Sequence, residues 1–540
     1  MTRGCGSALL VIALAVGLPL RFARLDVRPM HHDEANQAVK FGALLERGEY
    51  RYDAHDHHGP TLYYLTLPAA WLRGQTTLAA LDEWTLRGVT AVFGLATVLM
   101  LALLSPAIGR TAVAAGALLM ALSPAMVFFS RMFIQESLFT GFALAFVIAL
   151  GRVMTNGGLI WSVTAGVAAG LAVATKETAV IVLPSALVAC AIARAFRQGG
   201  GALAPPLHRR GSILVLTGLL TAAAVAALFY SSFFTNPAGL LEPFRGARTY
   251  VDRGIAPVSH GHPWHYYLQL LTYSRSGGLW WSEGLIVALA IVGGVSAWWT
   301  RGDAPRHRIF WARYLTAHVV ITTAIFSAIP YKTPWNVLPF YAGAIVLAGI
   351  GFSRLLSAIP SRALAAVVAF VCLAASIQLG RQAWRASVTY ASDSRNPYVY
   401  AQTVPDAVRM ATRIRELAAL HPAKEHMQVS VIASAYEQWP LPWYLRTMPN
   451  VGYWTAPGDP VAMQAPVIVA STENTGALDA LGDRYVSEFF GLRPEVPMAL
   501  YVDRGLWERF LVGQGAASNG ASAHCGAGFT VALWRTASAL

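Results

Sequence analysis

Long runs of apolar residues, separated by short connections that carry many of the arginines, dominate this 540-residue sequence. The runs 279–299 and 335–353 approach the roughly 20 residues that an α-helix needs to cross about 30 Å of hydrocarbon. Hydrophobic residues make up 55% of the chain and charged residues only 13%, whereas soluble proteins carry about 25% charged residues. The sequence therefore predicts an α-helical, polytopic membrane protein.

Eleven apolar segments are predicted to cross the membrane: about 5–21, 87–105, 111–129, 137–152, 158–175, 178–195, 212–231, 281–299, 312–330, 335–353 and 363–380. With a cytoplasmic N-terminus, the connections that contain Arg110, Arg152 and Arg301 face the cytoplasm, as the positive-inside rule requires. The long connections 22–86 and 232–280 then lie outside. This pattern predicts a multi-pass protein of the inner (plasma) membrane.

The first apolar run has an alternative interpretation as a cleaved signal peptide. No small-residue cleavage site follows Leu20, so an uncleaved first helix fits the sequence better.

The four cysteines, Cys5, Cys190, Cys372 and Cys525, form no CxxC pair. They indicate neither a disulfide framework nor a thiolate zinc site.

The region 381–540 differs from the membrane region 1–380 because its density of charged residues is higher. A helix-like segment at 406–420 precedes strand-like segments at 428–433 and 465–470, which predicts a small extracytoplasmic α/β domain. The domain contains no GxGxxG or P-loop motif, so no nucleotide site is predicted.

The whole chain has a net charge of +13. Its basic residues form no stripe interleaved with aromatic residues, and nucleic-acid binding is therefore not predicted.

The first outer connection carries two adjacent carboxylates, Asp33 and Glu34, about a dozen residues after the first helix. An isolated pair of this kind is usually a solvated loop feature. Here, however, residues 35–47 predict a short amphipathic helix, with Ala38 and Phe41 on its apolar face. Such a helix would lie in the membrane interface and hold the two carboxylates near the lipid headgroups.

Histidines follow in the same connection. Segment 52–58 contains three histidines, among them His57 and His58, and two aspartates; Gly59-Pro60 and the pair Tyr63-Tyr64 come next. Imidazoles and carboxylates can together bind a divalent cation, but no fixed zinc spacing is present, and structural hydrogen bonding explains the segment equally well. The outer segment 260–265 adds His262 and His265.

Three short outer connections carry further charges. Arg131 and Glu136 flank the second, Lys176-Glu177 lies in the third with almost no loop, and Lys332 precedes a helix in the fifth. Charges at helix ends often only snorkel to the interface, and Trp335 is also explained as an interface anchor. The predicted topology nevertheless places all these groups on one face of the membrane. Cations there can hold a lipid-linked phosphate, while a carboxylate deprotonates an acceptor hydroxyl.

These motifs resemble the GT-C superfamily of integral-membrane glycosyltransferases, and within it the protein O-mannosyltransferase and lipid A aminoarabinose transferase group. The segments that carry the likeness are Asp33-Glu34, the Gly59-Pro60 to Tyr63-Tyr64 region, and Arg131 with Glu136. More narrowly, the sequence resembles a prokaryotic family described as flippase-activity-associated, whose N-terminus is mannosyltransferase-like; the segments concerned are 31–34, 58–60, 176–177 and 331–335. Glu136 stands where the larger group more usually has Asp.

The resemblance implies a role for each motif residue. Asp33 would be the base, Glu34 an orienting or metal ligand, and Glu136 the second-loop acid. The residues near the donor phosphate and sugar would be Arg131, Lys176, Glu177, Lys332, Tyr63, Tyr64 and Trp335. The candidate ligands of a divalent cation (Mg, Mn or Zn) are His32, His57, His58, His262 and His265.

The leading hypothesis is an inverting or retaining transfer of one sugar from a polyprenyl-phosphate carrier to an extracytoplasmic glycan, lipid or protein. A lipid-linked donor explains why no nucleotide motif is needed. The alternatives are a flippase or transporter for lipid-linked glycans and a non-catalytic partner with a glycosyltransferase scaffold. A transporter should carry several ionisable residues along its membrane spans, and here His318 is one of few.

Overall fold

The computed structural model describes residues 3–53, 58–196, 209–245, 252, 260–299 and 305–522. Two compact units divide the chain, Met1–Thr403 and Val404–Leu540. The boundary therefore lies at Val404, and not at position 381 as expected from the sequence. The reason is that the chain beyond the last predicted membrane helix still bonds to the first unit; Trp281 Nε1, for example, donates to Arg395 O (3.0 Å).

The first unit consists mainly of helices, with one short antiparallel pair of strands, β1 (Ser274–Ser276) and β2 (Leu279–Trp281). Each of the eleven predicted apolar segments contains a helix. The helices are α1 (Arg3–Phe22), α2 (His32–Arg47), α3 (Thr61–Leu72), α4 (Glu83–Met100), α5 (Ser105–Ile108), α6 (Arg110–Leu122), α7 (Pro124–Ser130), α8 (Glu136–Asn156), α9 (Leu159–Val173), α10 (Ala179–Ala195), α11 (Arg209–Tyr230), α12 (Tyr266–Thr272), α13 (Gly284–Trp299), α14 (Arg306–Ala328), α15 (Leu338–Ala358) and α16 (Arg362–Trp384).

By length and composition, six described helices can cross a membrane: Glu83–Ile108, Glu136–Asn156, Gly211–Tyr230, Arg306–Ala328, Pro334–Ala358 and Arg362–Thr389. The pair α6 and α7 makes a seventh if its 57° bend is counted as one span. Four shorter apolar helices are Ala8–Phe22, Leu159–Val173, Ala179–Ala195 and Gly284–Trp299. The chain is thus a multi-pass membrane protein, and the number of eleven crossings stays a prediction.

The bend between α6 and α7 has a local cause. Proline disfavours helical backbone in the residue before it, and Ser123, which precedes Pro124, has left the helical conformation with ψ at 121°. The Ser123 hydroxyl instead accepts a hydrogen bond from Met126 N (3.3 Å) and so caps α7. The chain can therefore turn beside the region that carries the motif residues.

Helix α2 covers the amphipathic segment of the first long connection. Ala35, Ala38 and Phe41 are fully buried on one side of it. The helix ends at Gly48, whose φ of 67° requires the left-handed conformation that glycine adopts without strain. The first turn of α2 carries both predicted carboxylates, Asp33 and Glu34.

The second unit combines helices with a five-stranded sheet. The sheet order is β4 (Val451–Trp454), β3 (Val429–Ile432), β5 (Val467–Ser471), β7 (Val496–Asp503) and β6 (Tyr485–Arg493). Strands β4, β3 and β5 are parallel, and β5, β7 and β6 are antiparallel. Strands β3 and β5 overlap the predicted strands 428–433 and 465–470, and α17 covers the predicted helix 406–420. The elements are α17 (Pro405–Leu420), β3 (Val429–Ile432), α18 (Leu441–Tyr444), β4 (Val451–Trp454), α19 (Pro460–Gln464), β5 (Val467–Ser471), α20 (Thr475–Asp479), β6 (Tyr485–Arg493), β7 (Val496–Asp503) and α21 (Arg504–Ser522).

Candidate active site

Several polar connections of the first unit meet around the start of α2. The His31 ring packs edge-on against Trp335, with ring centroids 5.7 Å apart. Nearly two turns further along α2, Gln37 Oε1 accepts hydrogen bonds from Tyr63 OH and from Gln135 Nε2. The first, second and fifth outer connections predicted from the sequence therefore contact one another.

Glu34 lies inside this region with 0% of its surface exposed. Arg87 binds it in a bidentate manner, Nε to Oε1 (2.7 Å) and Nη2 to Oε2 (2.8 Å). The amides of His31 (3.0 Å) and Phe133 (2.8 Å) donate to the same two oxygens. Burial by itself raises the pKa of Glu34, but the charges of Arg87 and Arg28 outweigh it and lower the pKa to about 2. Glu34 therefore remains an anion that organises the backbone around it.

Asp33 has the opposite environment although it is the neighbouring residue. Its side chain is 43% exposed, and Oδ2 lies 3.6 Å from His31 Nδ1. Exposure leaves the Asp33 carboxylate accessible to an acceptor hydroxyl, whereas the oxygens of Glu34 are enclosed by donors. Of the two predicted carboxylates, the geometry thus favours Asp33 as a base.

Arg131 contacts backbone rather than an open space. Its Nη1 donates to Leu20 O (3.0 Å) and Arg21 O (3.2 Å), and its Nη2 to Arg24 O (3.0 Å). These carbonyls lie at and just beyond the C-terminal end of α1, where a cation interacts favourably with the helix dipole. The structure therefore places Arg131, which is 4% exposed, in a helix-capping position, and its contact with a donor phosphate stays a prediction.

Lys176 and Glu136 form a buried ion pair, with only 5% and 3% of their side chains exposed. The Lys176 ammonium also donates to Asn336 Oδ1 (2.9 Å). Because an ammonium carries three N–H donors, one remains for a ligand among the contacts of the described residues. This pair and its contact with Asn336 join the second, third and fifth outer connections.

His58 and Glu177 form a second pair, with Nδ1 2.7 Å from Oε2. The turn before α10 can approach the first loop because Gly59 has no side chain: a Cβ there would lie 2.2 Å from Ala174 O. Burial lowers the pKa of His58, but the Glu177 charge outweighs it and raises the pKa above its ordinary value. Burial likewise raises the pKa of Glu177, and His58 lowers it overall. The pair is consequently favoured in its charged form.

We expect the His58–Glu177 pair to stabilise the protein more in acid than in alkali. Because the pKa of His58 is raised and that of Glu177 lowered, the stabilisation is complete between their ordinary values of about 6.5 and about 4.3. It is lost as pH rises through the raised pKa of His58 or falls through the lowered pKa of Glu177. His58→Gln should therefore lower Tm by about 1–3 °C near pH 6 and by less near pH 9. Thermal unfolding across this range checks the result, with Glu177→Gln expected to behave alike. An equal loss at both pH values would contradict the assignment.

Lys332 lies in the loop before α15 and is 1% exposed. Its Nζ donates to His262 O (3.0 Å) and to Ile329 O. A short antiparallel bridge between Gly261 and Tyr331 brings the two loops together. Burial lowers the pKa of Lys332.

The predicted metal ligands are not assembled into one cluster. In the part of the chain that the structure describes, no group of three or more His, Cys, Asp or Glu side chains is placed to hold a metal ion. His262 stacks on Tyr266 (centroids 4.3 Å apart), and His265 directly precedes α12. His32 follows the cap of α2, while His57 lies outside the described residues. His58 binds Glu177, and a divalent cation stays a prediction.

The predicted aromatic residues pack in two ways. Tyr63 is fully buried, with its hydroxyl bound to Gln37, whereas Tyr64 packs edge-on against Phe233 (4.8 Å between centroids). Trp335 is 9% exposed. Tyr63 and Trp335 therefore shape the region from within, while Tyr64 belongs to an aromatic cluster with α11.

Three residues that organise this region were not predicted from the sequence. Arg87 and Glu283 stand at the edges of predicted apolar runs, where a buried charge needs a partner; this signal could have found them. Glu283 accepts hydrogen bonds from three hydroxyls, those of Ser123, Tyr341 and Tyr398. The third residue, Tyr400, accepts a hydrogen bond through its carbonyl from the His31 ring (2.9 Å). No local pattern distinguishes Tyr400.

Residues 11–238 match the sequence model of the dolichyl-phosphate-mannose-protein mannosyltransferase family. Among solved structures, ArnT from Cupriavidus metallidurans in the apo state is similar in fold, with a TM-score of 0.59, 17% identity, and coverage of 93% of this chain and 99% of that chain. The same enzyme bound to undecaprenyl phosphate gives a TM-score of 0.55 at 17% identity, with the same coverage.

An oligosaccharyltransferase from Archaeoglobus fulgidus, tethered to an acceptor peptide with the NVT sequon, is similar with a TM-score of 0.58 and 14% identity, covering 91% of this chain and 74% of that chain. No curated protein matches the chain in sequence. The chain thus has the fold of the GT-C membrane glycosyltransferases, and its N-terminal part is similar in sequence to their protein mannosyltransferase family.

Proposed function

We propose that this protein is a membrane glycosyltransferase that transfers a sugar from a polyprenyl-phosphate donor to an extracytoplasmic glycan, lipid or protein. The observation that carries the proposal is the half-exposed carboxylate of Asp33 in a region that also contains the buried ammonium groups of Lys176 and Lys332. The matching family is named for a dolichyl-phosphate sugar. A structure with a similar fold contains undecaprenyl phosphate.

In the proposed reaction, the Asp33 carboxylate takes the proton of the acceptor hydroxyl while the hydroxyl oxygen bonds to the anomeric carbon of the sugar. The bond between this carbon and the phosphate oxygen breaks, and the phosphate keeps the electron pair. Lys176 and Lys332 stabilise the charge that develops on the departing phosphate. Their burial strengthens this effect because charges are less screened away from water.

An apolar cleft beside the site supports a prenyl carrier. It has a volume of about 480 Å³ and lies between helices α12 to α15, lined among others by Leu271, Ile291 and Phe340. Tyr267, which also lines the cleft, donates to Thr333 O (3.3 Å), next in sequence to Lys332. A prenyl chain in the cleft would therefore bring its phosphate towards the proposed cations.

The proposal includes the finer topology: eleven crossings of the inner (plasma) membrane, a cytoplasmic N-terminus, and an extracytoplasmic second unit. The arginine-rich connections on the opposite side support it, since they follow the positive-inside rule. A cysteine-accessibility experiment with Thr472→Cys, on the exposed part of the second unit, checks the orientation. Labelling by an impermeant reagent only from the cytoplasmic side would contradict it.

Transfer itself is tested with purified protein in lipid nanodiscs. The probes are polyprenyl-phosphate hexoses with a radiolabelled sugar, offered with cell-envelope extracts as acceptors. We expect release of free polyprenyl phosphate together with label on an acceptor. Movement of lipid-linked sugar across liposomes without any covalent transfer would instead support the transporter alternative and overturn the proposal. The absence of both transfer and transport would favour the alternative of a non-catalytic partner.

Lys332→Met is expected to raise the KM for the donor by about 10- to 100-fold, because a hydrogen bond to a charged group contributes about 1.5–3 kcal/mol. Initial rates at varied donor concentration measure the change. Lys424→Met is the matched control, since Lys424 lies exposed in the second unit, and its KM should stay within about threefold. An unchanged KM in Lys332→Met would remove Lys332 from the donor site.

A further inference from the structure

His31 makes two hydrogen bonds that point in different directions. Its Nδ1 accepts from the Asp33 amide (3.0 Å), which makes His31 the N-cap of α2. Its Nε2 lies 2.9 Å from Tyr400 O. A carbonyl oxygen only accepts, so Nε2 carries the proton, and Nδ1 keeps its lone pair for the Asp33 amide. One tautomer therefore satisfies both contacts.

Histidine is an unusual choice for this position. Ser, Thr, Asp and Asn are the preferred N-cap residues because their short side chains reach the helix amides. None of these short side chains could also reach the carbonyl of Tyr400, which His31 contacts through Nε2. The imidazole does both, and its orientation is fixed further by edge-on packing against Trp335.

The segment that receives His31 is itself firmly held. Tyr398, two residues before Tyr400, donates from its hydroxyl to the buried carboxylate of Glu283 (2.7 Å). Asn396 donates to Ala386 O (3.0 Å), which ties the same segment to the end of the last helix of the unit. Tyr400 O is thus a fixed point for the start of α2.

We propose that His31 is a positioning residue that fixes the Asp33 carboxylate by tying the start of α2 to Tyr400. The inference rests on the proposed function of Asp33 as the base. When the backbone amide of Asp33 is held, the position of the reacting carboxylate depends only on the two side-chain torsions of Asp33. His31 itself touches no substrate in this scheme.

The test compares His31→Ala, which loses both contacts, with His31→Asn, which keeps an N-cap but cannot reach Tyr400. We expect kcat to fall about 100-fold in His31→Ala, since misplacement of a reacting group by about 1 Å costs this much, while the donor KM changes less than about threefold. His31→Asn should lie between this variant and the parent. A kcat of His31→Asn equal to that of the parent would overturn the tie to Tyr400.

A double-mutant cycle separates positioning from general stability. In an Asp33→Asn background, His31→Ala should change the residual rate by less than about twofold, because no base is left to position. An undiminished 100-fold loss would overturn the proposal. His421→Ala is the matched control: the His421 ring accepts the amide of Ala423 (3.2 Å) in the same local manner in the second unit, and its kcat should equal that of the parent.

Hydrogen exchange of the peptide 31–37 provides a readout that does not depend on transfer. We expect at least about tenfold faster exchange in His31→Ala than in the parent, since the cap holds the first amides of α2. Equal exchange would overturn the inference whatever the activity. If the parent transfers no sugar but this difference is found, the proposed function fails while the tie stands.

Discussion

Asp33→Asn is expected to lower the rate of sugar transfer by about 10²- to 10⁴-fold, the usual contribution of a general base. Asparagine has nearly the same shape, and it keeps the backbone amide that His31 accepts, so the fold should be unaffected. Its amide side chain cannot take the proton of an acceptor hydroxyl. The loss should therefore fall on kcat, with little change in donor KM, in a protein whose Tm equals that of the parent.

The control for this experiment is Asp26→Asn. Asp26 lies exposed in the same connection, seven positions earlier, and we expect its variant to retain activity within about threefold. Initial rates with a defined polyprenyl-phosphate sugar measure both. Equal rates for folded Asp33→Asn and parent would remove the base from the mechanism.

Arg87→Met is expected to destabilise the protein by about 3–5 kcal/mol, because it leaves the Glu34 carboxylate buried without its bidentate partner. Three backbone carbonyls, those of Leu25 (2.6 Å), Arg28 (2.9 Å) and Pro29 (3.3 Å), lose a donor at the same time. Thermal unfolding in detergent measures the loss as a large fall in Tm.

Two further variants define the cause of that loss. The double variant Glu34→Met/Arg87→Met should be more stable than Arg87→Met alone, since the buried Glu34 carboxylate is removed together with its bidentate partner. Arg73→Met breaks an exposed ion pair, in which the side chains of Arg73 and Asp82 are 38% and 39% exposed. This variant should lower the free energy of unfolding by only about 0–1 kcal/mol. If Arg87→Met proved as mild as Arg73→Met, Glu34 would have to be neutral or solvated.

The helices could be predicted because hydrophobicity is a local property. Every predicted apolar run contains a helix, and the bend at Ser123 follows from a single proline. The boundary at Val404 could not be predicted in the same way. It depends on hydrogen bonds such as that of Trp281 with Arg395, whose partners lie 114 positions apart.

The site shows the same limit. Asp33 and Glu34 are neighbours of similar chemistry, and only Arg87, 53 positions away from Glu34, decides which of them is enclosed. Arg131 was predicted beside a phosphate because its charge was visible in the sequence. The carbonyls at and beyond the end of α1 that accept its hydrogen bonds could not be identified from the sequence. The pairing of Lys176 with Glu136 was foreseen only as a shared membrane face.

The hydrogen bond between His31 and Tyr400 joins residues 369 positions apart. A ribosome adds about 5–20 residues per second, so about 20–70 s pass between the synthesis of the two. During that interval the acidic loop lacks the Tyr400 carbonyl that orients the His31 ring of its helix cap. Nascent chains that stop short of Tyr400 would carry the entire N-terminal motif and still lack this contact. Biosynthesis itself thus delays completion of the site until the whole membrane unit has been made.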